Sequence, residues 1–183
     1  MEIPRLDTAR LILLPLQSDD ALQVQQVFPR WEIVRHLVNT VPWPFPADGA
    51  SHYIDDIALP AMAAGQAWHW SLRHRSQPDN LIGLISLRLG AEDNRGFWLV
   101  PEWQGQGLMS EACELVTAFW FEHLQQPRLR VPKAMDNHAS RRISERTGMR
   151  LVDTYRKTFV EGELEAGTWE LTREEWLARQ TSD

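Results

Sequence analysis

Gly105 and Gly107 lie in the stretch "VPEWQGQGLMSEA" (residues 100–112), between an apolar strand-like run and the start of a helix-like one. Glycine allows positive φ and lets a ligand approach without meeting a Cβ. The first N–H groups of a helix have no partner within it, and the helix dipole adds positive potential at that end. Strand, glycine-bearing loop and helix in that order therefore offer peptide N–H groups to a phosphate, so no lysine is needed beside the glycines. A Walker A loop is excluded, because Leu108 and Met109 follow Gly107 where lysine and serine or threonine are required. A dinucleotide fingerprint is nearly met by Gly105, Gly107 and Ser110. It fails on context, since Pro101 to Gln104 separate the strand from the first glycine and too little chain remains for a doubly wound sheet. A plain turn whose glycines relieve strain stays open.

A second chemical signal is charge. Between residues 128 and 157 there are nine Arg or Lys against three acids, in a chain of net charge −6. This fits a local anionic ligand or a solvated face with ordinary ion pairs. The overall acidity argues against a nucleic-acid partner, which needs a basic face to neutralise phosphates.

The elements that would position these residues alternate along the chain. "ARLILLPL" (9–16) reads as a strand, and "SDDALQVQQVF" follows as a helix capped by Ser18. A proline-rich loop (39–49) precedes a helical stretch, "ASHYIDDIALPAMAAG", expected to break near Pro60. "AWHWSLRH" (67–74) and "LIGLISLRL" (81–89) read as a hairpin, and "RGFWLV" (95–100) as the next strand. A helix from about Leu108 to Leu124 buries one face through Leu108, Ala112, Leu115, Val116 and Phe119. "RLRVPK" (128–133) is a short strand, residues 138–148 a helix ended by Gly148, and the tail two strands and a short helix. Hairpins with interposed helices indicate an α+β domain on a mixed sheet.

At 183 residues, 43% hydrophobic, the chain suits one domain, 1–183. Its one cysteine, Cys113, excludes an internal disulfide framework. "MEIPRLDTARLILL" lacks the order of a secretory signal, and the longest apolar run, residues 57–64, is too short to span a bilayer. A cytoplasmic protein without a membrane partner is expected.

Two segments resemble the GNAT N-acetyltransferase superfamily. "QGQGLM" (104–109) resembles its acyl-CoA pyrophosphate loop, Q/R-x-x-G-x-G/A, through Gln104 and Gly107, with Met109 where glycine or alanine is usual. "NHASRRISERTGM" (137–149) resembles a second motif through Asn137, Ser140, Glu145, Arg146 and Gly148, with Met149 in place of phenylalanine. The opening "LDTARLILLPLQSDDA" and closing "WELTREEW" look like the ribosomal-protein-type (Rim-like) branch. The resemblance runs over nearly the whole chain. It implies an α+β fold with a mixed, mostly antiparallel central sheet, splayed between its fourth and fifth strands (95–100 and 128–133) and flanked by helices.

The resemblance further implies acetyl-CoA as co-substrate and no metal. Its pantetheine would pair with the backbone of Trp98, Leu99 and Val100. Its pyrophosphate would sit on Gln104, Gly105, Gln106, Gly107, Leu108 and Met109. Asn137 would meet the pantetheine arm while also serving as a helix N-cap, and Arg141 or Arg142 the phosphates. An amine would attack the thioester directly in a ternary complex. The tyrosine that often protonates the thiolate is replaced by Ser144, so Ser140 is the expected catalytic contact to sulfur; a first-turn serine bonding its own backbone is the alternative. The glutamate that often acts as base is replaced by Asn94, with Glu92 and Asp93 in the turn. That leaves His69, Glu161 or Glu163 as bases.

Nine tryptophans are present. Trp43 and Phe45, in the proline-rich loop, are expected to wall an acceptor pocket, whereas Trp68 and Trp70 alternate as core residues of a strand. The expected function is N-acetyl transfer to a primary amine, either a protein N-terminal α-amine or a small molecule, with room for a homodimer. The alternatives are an antibiotic-detoxifying or other acyl-CoA-dependent acyltransferase, and a non-catalytic acyl-CoA sensor.

Overall fold

Two antiparallel sheets share one core, with a gap between them. In the computed structural model residues 3–181 are described; the outermost two residues at each end of the expected 1–183 domain lie outside the described residues. Strands β1 (Leu6–Asp7), β2 (Leu11–Pro15), β3 (Ala67–His74), β4 (Leu81–Arg88) and β5 (Arg95–Leu99) form the first sheet in that order. Strands β6 (Arg128–Ala134), β7 (Arg150–Phe159) and β8 (Gly162–Thr172) form the second, in the order β6-β8-β7. Every ladder in both sheets is antiparallel. The expected splay falls between β5 and β6, the fourth and fifth strands once the two-residue β1 is set aside.

Helices α1 (Ala21–Val27), α2 (Trp31–Val34), α3 (Gly49–Ser51) and α4 (Leu59–Ala63) lie between β2 and β3. Helix α5 (Leu108–Glu122) links the two sheets, α6 (His138–Arg146) follows β6, and α7 (Arg173–Gln180) closes the chain. β3 and β4 are buried on nearly every residue, so both faces of the first sheet are covered. Trp70 packs edge-on against Phe119 of α5, ring centroids 5.5 Å apart. On the opposite face Arg73 pairs with Asp20 at 2.6 Å, both buried. Trp68 and Trp70 are core residues, as their alternation implies.

Two local expectations are corrected. Ser18 opens a 3-10 turn, Ser18–Asp20, and the cap is Gln17, locked reciprocally with Asp20. Pro60 does not break its helix: His52–Ala58 widens into π winding, and Pro60 falls in the first turn of the α-helical segment that follows. A proline there removes an N–H that the first turn leaves unpaired in any case.

The two sheets meet at the narrow end of the splay through Asn94, which is 2% exposed. Its backbone N–H donates to the carbonyl of Arg130 at 2.8 Å, and its Oδ1 accepts from the Arg130 N–H at 2.8 Å. Its Nδ2 donates to the carbonyls of Gly90 and Arg88 at 2.9 and 3.3 Å. One side chain thus joins the β4–β5 turn to β6. Asn94→Ala leaves buried backbone groups without partners and is expected to cost about 1–3 kcal/mol. A thermal melt should then shift down by at least about 2 °C; an unchanged midpoint would show that the sheets are held elsewhere.

Candidate functional site

β5 runs into a 3-10 turn, Pro101–Trp103, and then the glycine loop. Gly105 and Gly107 both adopt positive φ, 74° and 79°, and Gly107 is the N-cap of α5. No backbone N–H from residue 105 to residue 110 has an acceptor among the described residues. Six consecutive donors curled around two left-handed glycines form an anion-accepting concavity at a helix N-terminus. Leu108 and Met109 turn their side chains into the core, 1% and 6% exposed, so they present only backbone to the loop. Met109 therefore does not crowd the position where the family has glycine or alanine.

The loop is held from both sides. Gln104 Nε2 donates to the Leu99 carbonyl at 2.7 Å. Arg10, just ahead of β2, donates through Nη1 to the Gln106 carbonyl at 2.9 Å and pairs through Nε with Glu111 of α5 at 2.9 Å. Thr8 also donates to Glu111. Burial raises the Glu111 carboxyl, but the bonds from Thr8 and Arg10 outweigh it and hold it below the usual range. Arg10 thereby sets a half-exposed guanidinium beside the bare amides, a role its place before a strand does not signal.

Along the splay the edge of β5 pairs with no other strand. Val100 N donates to Ile82 of β4 and Asn94 O accepts from Arg88, both at 2.9 Å. Bonding alternates in an antiparallel ladder, so Phe97 and Leu99 turn their backbone groups toward the opening while Trp98 and Val100 spend theirs on β4. Of the expected stretch Trp98 to Val100, Leu99 is the residue with an edge-facing N–H.

The second motif lies across the opening. Asn137 is the N-cap of α6, its side chain accepting from Ser140 N at 3.3 Å. Ser140 is 9% exposed, and its Oγ accepts from Lys133 Nζ at 2.7 Å. The serine therefore bonds a lysine rather than its own backbone, and its proton is free for a further acceptor. Arg141 is turned inward, donating to the Met135 carbonyl at 2.7 Å, whereas Arg142 is exposed and has no ion pair among the described residues. The Ser144 hydroxyl is wholly buried and unpartnered. Much of the basic excess is spent on acids from outside the segment: Arg130 on Glu92 and Glu170, Arg150 on Glu170 and Glu175, Arg156 on Glu163.

Lys133 was not singled out from the sequence, although the signal was there. Period-two alternation puts it on the inward face of β6 with Leu129 and Val131, and all three are buried. Its Nζ lies 5.1 Å from the centroid of the Phe97 ring. Burial pushes its ammonium down to about 7, and the Arg95 guanidinium pushes the same way against Cys113 and Asp93. Arg95 is itself 1% exposed and donates to Thr117 Oγ1 at 2.9 Å and Met149 Sδ at 3.6 Å. No carboxylate among the described residues is in ion-pair range of either cation.

The expected bases fare less well. His69 is 5% exposed, edge-on to Tyr53, and burial pushes it down to about 4; it is a core histidine. Glu161 is gripped by Arg35 at 2.9 and 3.1 Å, and Glu163 pairs with Arg156 at the surface. Asn94 is the staple between sheets. His36 comes to the wide end of the splay because the turn between β7 and β8 bonds back to residues 35–38. Its Nε2 lies 3.1 Å from Asp136 Oδ1, off the line of a hydrogen bond, and burial holds its pKa below the ordinary value.

On the acceptor side, Phe45 packs on Phe28 and Phe28 on Trp98, each pair 5.0 Å between centroids, which joins the proline-rich loop to β5. Trp43 is 41% exposed and 5.8 Å from the Trp31 ring.

Residues 10–150 match the family described as "Acetyltransferase (GNAT) domain". YdaF of Bacillus subtilis (strain 168), named a candidate ribosomal N-acetyltransferase, is 34% identical over 73 residues, a match covering 38% of this chain and 40% of that relative. RimL, a ribosomal L7/L12 alpha-N-protein acetyltransferase solved with coenzyme A, superposes with a TM-score of 0.79 at 16% identity, over 94% of this chain and 99% of its own. A Vibrio fischeri ribosomal-protein-S5-alanine acetyltransferase gives 0.80 at 14% identity, over 94% and 98%. At such identities the likeness is one of fold.

Lys133 also makes a prediction about stability. Its folded pKa of about 7 lies below the ordinary 10.5, so between these values the unfolded chain holds the extra proton. The lysine's contribution to wild-type stability therefore falls as pH drops across that window and levels off below it. Lys133→Met keeps the length of the chain and removes the charge. Its gain in melting temperature should be larger at about pH 6 than at about pH 9.5; equal gains would mean that the ammonium is not desolvated.

Proposed function

Because the chain belongs to the acetyltransferase (GNAT) domain family, we propose that it is an N-acetyltransferase that carries an acetyl group from acetyl-CoA to a primary amine. The observation that carries this reading is the row of unpaired N–H groups from 105 to 110, set where β5 leaves an open edge. In this reading the pyrophosphate lies on the loop amides, with Arg10 and the exposed Arg142 as flanking charges. The pantetheine takes the place of a missing strand against Leu99, beside Asn137.

The chemistry asks little of side chains. Fixing the amine and the thioester side by side supplies much of the acceleration, and a backbone donor in the splay stabilises the oxyanion as the amine attacks. Ser140 donates a hydrogen bond to the departing sulfur. Trp43 and Phe45 line the approach of the acceptor, from the loop that reaches β5 through Phe28. No metal enters the reaction.

For the acceptor, we favour a protein N-terminal α-amine in the cytoplasm over a small amine. The support is that the two fold neighbours named above are ribosomal-protein acetyltransferases by name, and that an exposed aromatic loop suits an extended peptide. Assaying thiol release with N-terminal peptides, polyamines and aminoglycosides in parallel tests this. Peptides should be turned over best; preference for a polyamine or aminoglycoside would replace the acceptor, and CoA binding without thiol release from any amine would make the protein a sensor.

The loop itself can be tested by Gly105→Ala. An L-residue at this positive φ costs about 1–2 kcal/mol, which should lower the melting temperature by about 2–8 °C. The Kd for CoA, read calorimetrically on the folded variant, should rise about tenfold or more; an unchanged Kd would remove the loop from the binding site. Ser140→Ala should lower kcat about tenfold or more and leave the Kd for CoA within about twofold.

A further inference from the structure

Lys133 and Arg95 are two buried cations on facing strands, β6 and β5, with no carboxylate partner among the described residues. Charges of this kind are costly to bury, and the fold holds them at the opening where the proposed reaction generates an anion, the CoA thiolate. Lys133 is aimed: its Nζ donates to Ser140 Oγ at 2.7 Å. A hydroxyl that accepts from an ammonium can pass its own proton onward. Resting on the acetyl-transfer reading, we propose that Lys133 is a positioning residue for the leaving group, standing behind Ser140 as the source of the proton that the thiolate receives.

The step balances. The neutral amine forms a C–N bond to the thioester carbonyl and sheds its proton to water. As the tetrahedral intermediate collapses, the C–S bond breaks and its electron pair stays on sulfur. Sulfur takes the Ser140 hydroxyl proton, and Ser140 takes one from the Lys133 ammonium. The products are the acetylated amine and the free CoA thiol, and the neutral lysine regains a proton from solvent. Four other groups face Lys133: Arg95 and Phe97 from β5, Cys113 from α5 and Asp93 from the turn before β5. Arg95 keeps its charge through the cycle, which favours giving up the lysine proton as negative charge develops on sulfur.

The test compares wild type, Lys133→Met, Lys133→Arg and Lys133→Met/Ser140→Ala. The readouts are the Kd for CoA and the pH profile of kcat for thiol release with a peptide amine. A relay predicts a wild-type kcat that falls on the alkaline side as the lysine loses its proton. In Lys133→Met that limb should disappear and kcat should fall by about 10²-fold, with CoA bound as before. Lys133→Arg keeps the charge but cannot release a proton, so it should bind CoA normally without restoring kcat. The double variant should be no slower than the slower single one, because the two groups act as a unit. An unchanged pH profile in Lys133→Met, rescue by arginine, or additive losses would each overturn the assignment while acetyl transfer stands. A wild-type protein that neither binds CoA nor releases thiol would overturn the acetyl-transfer reading, and this inference with it. Should Lys133→Met fail to fold, Lys133→Gln takes its place with the same expected outcomes.

Discussion

The structure depends on a strand edge that stays unpaired. β5 ends one sheet and β6 begins the other, and unpaired backbone groups at an edge are costly when buried and a hazard when exposed. Here the chain joins the two strands at one end only. Asn94 does so with main chain and side chain together, reaching Arg130, Arg88 and Gly90. Beyond it the strands diverge, and the groups that face each other across the gap include Phe97 and Lys133. Asn94, at the position where the family resemblance implies a glutamate base, is thus committed to architecture.

At the mouth of this opening, helix geometry supplies the surface proposed to hold the pyrophosphate. The left-handed glycines, φ 74° and 79°, expose peptide N–H groups at the start of α5. α5 itself is immobilised along its length, from Leu108 to Trp120, by burial against the first sheet and by the bond from Trp120 Nε1 to the Arg128 carbonyl at 2.8 Å. A loop mounted on so buried a helix is pre-organised, which would lower the ordering cost of taking up the proposed ligand. Arg10 adds a second tether from the other end of the sheet, through Gln106 and Glu111.

The distribution of charge separates groups that have a counter-ion from groups that do not. Arg73 and Asp20 bury a matched pair, and Arg130, Arg150 and Glu170 form a linked network across the second sheet. These groups are paired with counter-ions within the protein. Lys133 and Arg95 are not, and they sit in the splay beside Ser140 and Thr117 respectively. No carboxylate among the described residues pairs with either, so uncompensated positive charge stands beside the proposed leaving group.

Local signals in the sequence determined the element order, the hairpin of β3 and β4, the buried face of α5 and the glycine loop, because each rests on periodicity or on the φ range of glycine. They also located the splay, Asn137 and Ser140 through motif resemblance. The misplaced cap at Ser18 and the break at Pro60 came from judging residues by propensity alone, where Asp20 and a π-wound segment set the outcome. Only the tertiary structure decided the rest. Arg10 meets Gln106 across 96 positions of chain and Asn94 meets Arg130 across 36, whereas Lys133 reaches Ser140 across the short turn between β6 and α6. Partnership across such separations depends on which faces the core brings together, and burial without a counter-ion, which sets the behaviour of Lys133, is a property of no single stretch of sequence.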